Sequence, residues 1–155
     1  LPKYEQFGAL KGLEYQKNLE RMAFTAGGRT QAAPAQRLTD FVEGRLSIDL
    51  NPTSYQPGLN SAPLHSLLPK LIGSRLRKGF ESFGQKMRGY YTSEANVIGV
   101  ESRTSSPVCI PRNEQLEHPQ IQGLFPCGEG GGYAGGIVSA AMDGERCAEA
   151  AIIGL

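Results

Sequence analysis

The run Gly123-Leu-Phe-Pro-Cys-Gly-Glu-Gly-Gly-Gly-Tyr-Ala-Gly-Gly-Ile137 holds the residues best placed to do chemistry. Five glycines fall between Gly128 and Gly135, and eight of the chain's 20 lie between Gly123 and Gly144. Backbone without side chains takes up special conformations and lets a ligand come close. An apolar run, a glycine turn and a helix bring backbone N–H groups and a helix N-terminus to one point, which attracts anions and electron-rich oxygens. Gly130, Gly132 and Gly135 satisfy G-x-G-x-x-G in a strand–turn–helix context. A self-contained dinucleotide fold nevertheless needs a second strand ending in an acidic residue about 20 positions on. Only helix-like sequence follows Gly135, and no Gly-Lys-Ser/Thr makes a P-loop. The turn is thus expected to approach a ligand without building a nucleotide site alone. The competing reading is a tight strand–helix joint with no ligand.

Other groups with chemical potential are scattered. Arg103, with Thr104 and Ser105, lies on a polar stretch between two expected strands. Arg103 either clamps a substrate carboxylate or cofactor phosphate through a bidentate contact, or pairs with Glu101 and caps its loop. Tyr133 is a proton donor or packs on the start of the last helix, with packing the simpler role. His65 and His118 stand alone, so neither a triad nor a metal site is expected, and no catalytic residue is assigned. Cys109, Cys127 and Cys147 form no C-x-x-C pair and are odd in number, which argues against zinc or a disulfide framework. Cys127 is expected to be a small buried residue.

The elements that must position these groups are mostly helical. Residues 1–12 are expected as loop or an incomplete leading edge. Leu13–Ala26 is a helix, with Leu19, Met22, Ala23 and Ala26 on one face and Gly27-Gly28 as its stop. A second helix is expected over Pro34–Glu43, ended by Gly44. Leu46, Ile48 and Leu50 suggest a short edge strand within a loop over 45–62. Leu64–Met87 is helical with a break at Pro69, its apolar stripe opposed by Lys70, Arg75, Arg77, Lys78, Lys86 and Arg88 against Glu81. That basic face is either solvated or a rim for an anionic ligand or partner. Asn96–Glu101 and Val108–Ile110 are expected as strands, and a last helix of small residues, Gly135–Ile153, is suited to close packing on a sheet. The expected fold is α+β and mostly helical, with a small sheet near Asn96–Cys127.

Composition narrows the function. Sixteen basic and 15 acidic residues give a net charge of +1, so no strong field recruits nucleic acid or an anionic membrane. No apolar run approaches the roughly 20 residues of a membrane span. Without a signal-peptide pattern or a glycosylation acceptor, a reducing, cytoplasmic setting is expected. The chain begins with Leu1, and it is expected to be part of something longer.

Gly123–Gly144, with its Gly-Glu-Gly-Gly-Gly-Tyr-Ala-Gly-Gly-Ile core, resembles the C-terminal flavin motif of a family of bacterial FAD-dependent dehydrogenases, often labelled NAD-utilising dehydrogenases. Val100-Glu-Ser-Arg-Thr-Ser-Ser-Pro107 resembles that family's second signature. Leu19-Glu-Arg-Met-Ala-Phe24, Ala33-Pro-Ala-Gln36 with Asp40-Phe41, and Leu67-Leu-Pro69 resemble its helical insert. The resemblance covers roughly residues 12–153 and lacks the family's N-terminal dinucleotide fingerprint. It implies the C-terminal part of a two-domain FAD/NAD(P)-binding flavoprotein. Residues 1–95 would belong to the helical substrate-side domain, and 96–155 would supply strands and a helix to the FAD domain.

The same resemblance implies FAD as cofactor in the full-length protein, NAD(P) as a candidate second one, and an upstream FAD-binding portion as partner. The small-molecule substrate is unspecified. Glu129 would hydrogen-bond the flavin ribityl chain, unless it is a surface turn residue. Gly128 and Gly130 would form the turn beside it. Gly135, Gly136 and Ile137 would open the helix whose N-terminus faces the pyrimidine edge of the isoalloxazine, where reduction places negative charge. On this view the chain alone is inactive. The alternative is a non-enzymatic helical module that docks a partner on its basic Lys70–Arg88 face, the glycines being a packing device.

Overall fold

The computed structural model describes residues 2–103 and 105–154. The fold is α+β and mostly helical, with one three-stranded sheet among the described residues. Two compact units are present: Asn18–Glu101, and the flanking segments up to Lys17 and from Ser102 onward. No helix among the described residues is long and apolar enough to cross a membrane.

Asn18–Glu101 contains the end of helix α1 (Lys11–Ala26), strand β1 (Ala33–Arg37), α2 (Leu38–Glu43), β2 (Leu59–Ser61), α3 (Leu64–Leu67), α4 (Lys70–Lys86) and β3 (Asn96–Ile98). Glycine ends α1 and α2 as expected: Gly28 and Gly44 both have positive φ. Pro69 separates α3 from α4, its missing N–H and fixed φ suiting the N-cap it occupies. Sheet order is β2-β1-β3, with β1 parallel to β2 (Ala33 opposite Leu59) and antiparallel to β3 (Gln36 opposite Val97). Beneath it Leu38, Phe41, Val42 and Leu64 form the core, joined by Leu67, Leu68, Phe80, Ala95 and Val97. Phe80 meets Phe41 edge-on at 5.8 Å between ring centres.

Several elements differ from the sequence-based expectation. Pro34–Arg37 is strand, and only Leu38–Glu43 is helix. Ala-Pro-Ala-Gln has no strand propensity of its own, but pairing on both edges and burial of Ala35 and Gln36 override it. Gln36 is fully buried and bonded at both ends of its amide: the nitrogen donates to the Arg45 carbonyl, and Oε1 accepts from the His65 backbone N–H (2.9 Å) and ring Nδ1 (3.1 Å). Leu46, Ile48 and Leu50 form no strand, and Ile48 is wholly exposed. The strand of that region is Leu59–Ser61. The α4 stripe is only half covered, since Leu71, Ile72, Leu76, Phe83 and Met87 remain exposed. Met22 on α1 is exposed too, whereas Leu19 and Ala23 are buried.

In the flanking unit, Pro2–Leu10 is a 3-10 stretch kinked at Gly8 rather than loop. Buried Tyr4 packs edge-on against Tyr15 at 5.6 Å. The sheet expected near Asn96–Cys127 is absent here. Only Asn96–Ile98 is strand, in the other unit, and neither Val108–Ile110 nor Gly123–Cys127 forms a ladder. Isolated backbone bonds take the place of a ladder, among them Ile110 N–H to the Gly131 carbonyl (3.0 Å) and His118 N–H to that of Leu124 (2.7 Å). The glycine turn winds into a one-turn helix, α5 (Gly128–Gly131), before α6 (Ile137–Ile153). On α6 only Asp143 and Cys147 are buried, while Ile137, Val138, Met142, Ile152 and Ile153 are exposed.

Candidate functional site

The glycine turn is anchored by one ion pair. Asp143, on the second turn of α6, accepts from Arg112 Nη1 (3.0 Å) and Nη2 (2.8 Å), and its Oδ2 also accepts the Gly128 backbone N–H at 2.9 Å. The guanidinium donates in addition to the Pro126 carbonyl (2.9 Å), touches Cys147 Sγ (3.3 Å) and lies 3.6 Å over the Tyr133 ring. Tyr133 donates its hydroxyl to the Ile110 carbonyl at 2.7 Å. Both ends of the turn and the loop before it are therefore tied to one arginine.

Bidentate pairing with Arg112, and then the Gly128 N–H, pull the Asp143 carboxyl from its ordinary 3.8 down to about 2. The same pairing raises Arg112. Burial raises the Cys147 thiol, and burial raises the Tyr133 hydroxyl. Tyr133 thus has the packing role, its ring under Arg112 and its proton committed to a carbonyl. Cys127 corrects the expectation of burial: it is exposed at the N-cap of α5, and Cys147 is the buried thiol.

Against this frame lies a cavity of about 190 Å³, lined by Ser105, Ser106, Glu129, Gly132, Tyr133, Ala134 and Gly135. Of the residues singled out from sequence, Ser105, Glu129, Gly132, Tyr133 and Gly135 line it. Gly128, Gly130, Gly136 and Ile137 are outside the lining, and so is Arg103, which is exposed. Thr104 lies outside the described residues. Such a volume is below the roughly 300–1,000 Å³ of a whole small-molecule site and suits one edge of a larger ligand.

The glycines fall into two groups. Gly128 (φ +64°) and Gly132 (φ +86°) are required by the backbone, and a Cβ on Gly132 would sit 2.6 Å from the Val108 carbonyl oxygen. At Gly131 a Cβ would press on Pro126 at 3.3 Å. Gly130 is different: its φ is not positive and a Cβ would meet nothing within 4 Å. Gly136 would meet only the movable Ser139 hydroxyl. The joint alone therefore accounts for three glycines but not for Gly130.

The start of α6 is also open. Gly136 is its N-cap and offers no side chain, and the Ser139 hydroxyl is turned back onto Gly136, accepting its N–H and donating to its carbonyl, both at 3.1 Å. The first-turn N–H groups carry no side-chain cap, beside the exposed Ile137 and Val138. Uncapped amides at a helix start are free to donate to an electron-rich or anionic group.

The family model matches the part of the chain that precedes the glycine turn. Residues 2–104 match the family described as "FAD-dependent protein, C-terminal domain-like". The chain belongs to that family. A Clostridium beijerinckii protein carrying the name "Uncharacterized protein" is a relative of this chain, 42% identical over 142 residues. The alignment takes in 90% of this chain and 27% of the relative, so the chain spans about a quarter of that protein's length. The family match stops before Gly123, so the family membership and the cavity geometry are separate observations.

Sequence reasoning missed Arg112 and Asp143. The signal was available: Asp143 interrupts the small apolar run Val138–Met142, where a lone acid requires a partner.

Proposed function

We propose that this chain is the C-terminal part of an FAD-dependent oxidoreductase, and that its glycine turn and the start of α6 contact the flavin. Membership of the FAD-dependent family supports FAD. Within the turn, the observation that carries the reading is Gly130, a glycine the fold does not need, next in sequence to the cavity-lining Glu129. On this reading Glu129 accepts a hydrogen bond from the ribityl chain, Gly128 and Gly130 keep the approach open, and Gly135, Gly136 and Ile137 aim the α6 amides at the pyrimidine edge. Ser105, with Arg103, is the group that would meet a substrate or a cofactor phosphate. When bound, the flavin supplies two-electron transfer. The α6 dipole favours negative charge at its N-terminus, and the Arg112–Asp143 pair holds that terminus in place.

The rest of the proposal reaches beyond this chain. An upstream portion of the same polypeptide would hold the pyrophosphate and adenine, its sheet would take up the Val108–Ile110 and Gly123–Cys127 segments, and the helical residues 1–95 would cover the substrate. NAD(P)H as electron donor is supported by the resemblance to NAD-utilising dehydrogenases. The test is flavin retention by the longer polypeptide after desalting. Retention that falls on substituting Glu129 or Gly136 supports the site, and unchanged retention refutes it.

A second reading has one observation in its favour. Lys70, Arg75, Lys78, Lys86 and Arg88 make no ion pair among the described residues, beside half-exposed Leu76 and Phe83. That face suits docking of an acidic partner. Only this reading predicts that reversing Arg75 and Lys78 removes the chain's function while flavin content stays unchanged.

A further inference from the structure

We propose that the groove between the last turns of α1 and the start of α3 binds a small amphipathic carboxylate, with Arg21 holding the anion. The groove measures about 470 Å³ and is lined by Arg21, Met22, Thr25 and Ala26 of α1 with Pro63, Ser66 and Leu67. That volume lies within the range of small-molecule sites, roughly 300–1,000 Å³. The spacing explains the lining. Positions 21, 22, 25 and 26 share one face of a helix, and 63, 66 and 67 share the facing one.

The chemistry of the walls selects the ligand. Met22, Ala26, Pro63 and Leu67 offer an apolar floor, and Met22 is 40% exposed in it. Methionine is the side chain best able to adapt to a flexible chain. Thr25 spends its hydroxyl proton on the Arg21 carbonyl (2.9 Å) and Ser66 spends its own on the Pro63 carbonyl (3.0 Å). Both hydroxyl oxygens remain as acceptors, so the guanidinium of Arg21 is the one side-chain donor in the lining with no partner among the described residues. An apolar body and a single unpaired cation ask for an anionic head on an apolar tail, and a guanidinium meets a carboxylate bidentately.

Orientation follows from the helix. The C-terminal end of α1, at Ala26, carries negative partial charge and repels an anion. The head therefore sits one turn back at Arg21, and the tail runs over Met22 toward Leu67. The site rests on neither the flavin nor the glycine turn.

The test uses the protein labelled at its methionine methyls and titrated with sodium octanoate, with 1-octanol as the uncharged control. The chain has three methionines, and Met87 and Met142, both exposed elsewhere, serve as internal references. The expected result is a saturable shift of the Met22 methyl alone, at lower concentration for octanoate than for octanol. Arg21→Ala weakens octanoate about tenfold, Arg21→Lys weakens it less, and Met22→Glu abolishes it. Equal binding of octanoate and octanol overturns the proposal without any variant. Shifts of all three methyls together, or an Arg21→Ala protein that binds octanoate unchanged, overturn it as well.

Discussion

Replacing Asp143 by Asn removes the charge that holds the glycine turn. Its carboxylate takes both ends of the Arg112 guanidinium and the Gly128 N–H, with each partner of the pair only about a tenth exposed. Asn keeps an acceptor for one of these donors and presents its own amide to the others. Arg112 is left with the Pro126 carbonyl and the Tyr133 ring. The size follows by two routes. A carboxyl drawn from 3.8 to about 2 stabilises the folded state by roughly 2 kcal/mol. Breaking a buried pair by removing one partner costs about 3–5 kcal/mol, and the contacts Arg112 retains place this case at the lower end.

The pH dependence has a definite sign. The folded carboxyl titrates below the unfolded one, so its contribution is full above about pH 4 and disappears as pH falls toward about 2. Urea unfolding followed by far-UV circular dichroism should therefore show Asp143→Asn less stable by about 2–3 kcal/mol near pH 6. The gap should narrow steadily on acidification until the two proteins converge. A gap under about 1 kcal/mol near neutrality, or one that persists undiminished in acid, refutes the anchoring role.

Gly132→Ala should destabilise the protein by more than about 1 kcal/mol, because φ is +86° and the new methyl meets the Val108 carbonyl, whereas Gly130→Ala should change the urea midpoint little. Comparing the two midpoints checks the division of the glycines. Gln36→Leu should cost about 1–3 kcal/mol by leaving the Arg45 carbonyl and the His65 N–H without partners, as measured by chemical denaturation. Burial, and then Arg77, lower the His65 pKa. Its imidazole should accordingly stay neutral below pH 6.5 in an NMR titration, and its contribution to stability should be lost as pH falls through that lowered value.

The long helices were legible because their periodicity is strong: α1, α4 and α6 all lie where their apolar spacing puts them. Strand β1 was not, because Ala-Pro-Ala-Gln-Arg acquires its conformation from β2 and β3, more than twenty residues away, rather than from its own residues. Val108–Ile110 and Gly123–Cys127 carry strand-like composition but find no neighbouring ladder among the described residues. The site was half legible. Ser105, Glu129, Gly132, Tyr133 and Gly135, singled out from the turn and its neighbouring loop, line the cavity. The Arg112–Asp143 anchor was not, since 31 residues separate its partners and no local pattern joins them. Cys147, and not Cys127, is the buried thiol because it lies one turn after Asp143 on the same face of α6, against Arg112.

The most direct test of the central claim is the visible absorption spectrum of the longer polypeptide after desalting, beside its Gly130→Ala variant. The proposed contact predicts flavin bands in the parent and weaker bands in a variant whose circular dichroism is unchanged. Flavin bands absent from the parent, or retained equally by both, contradict it.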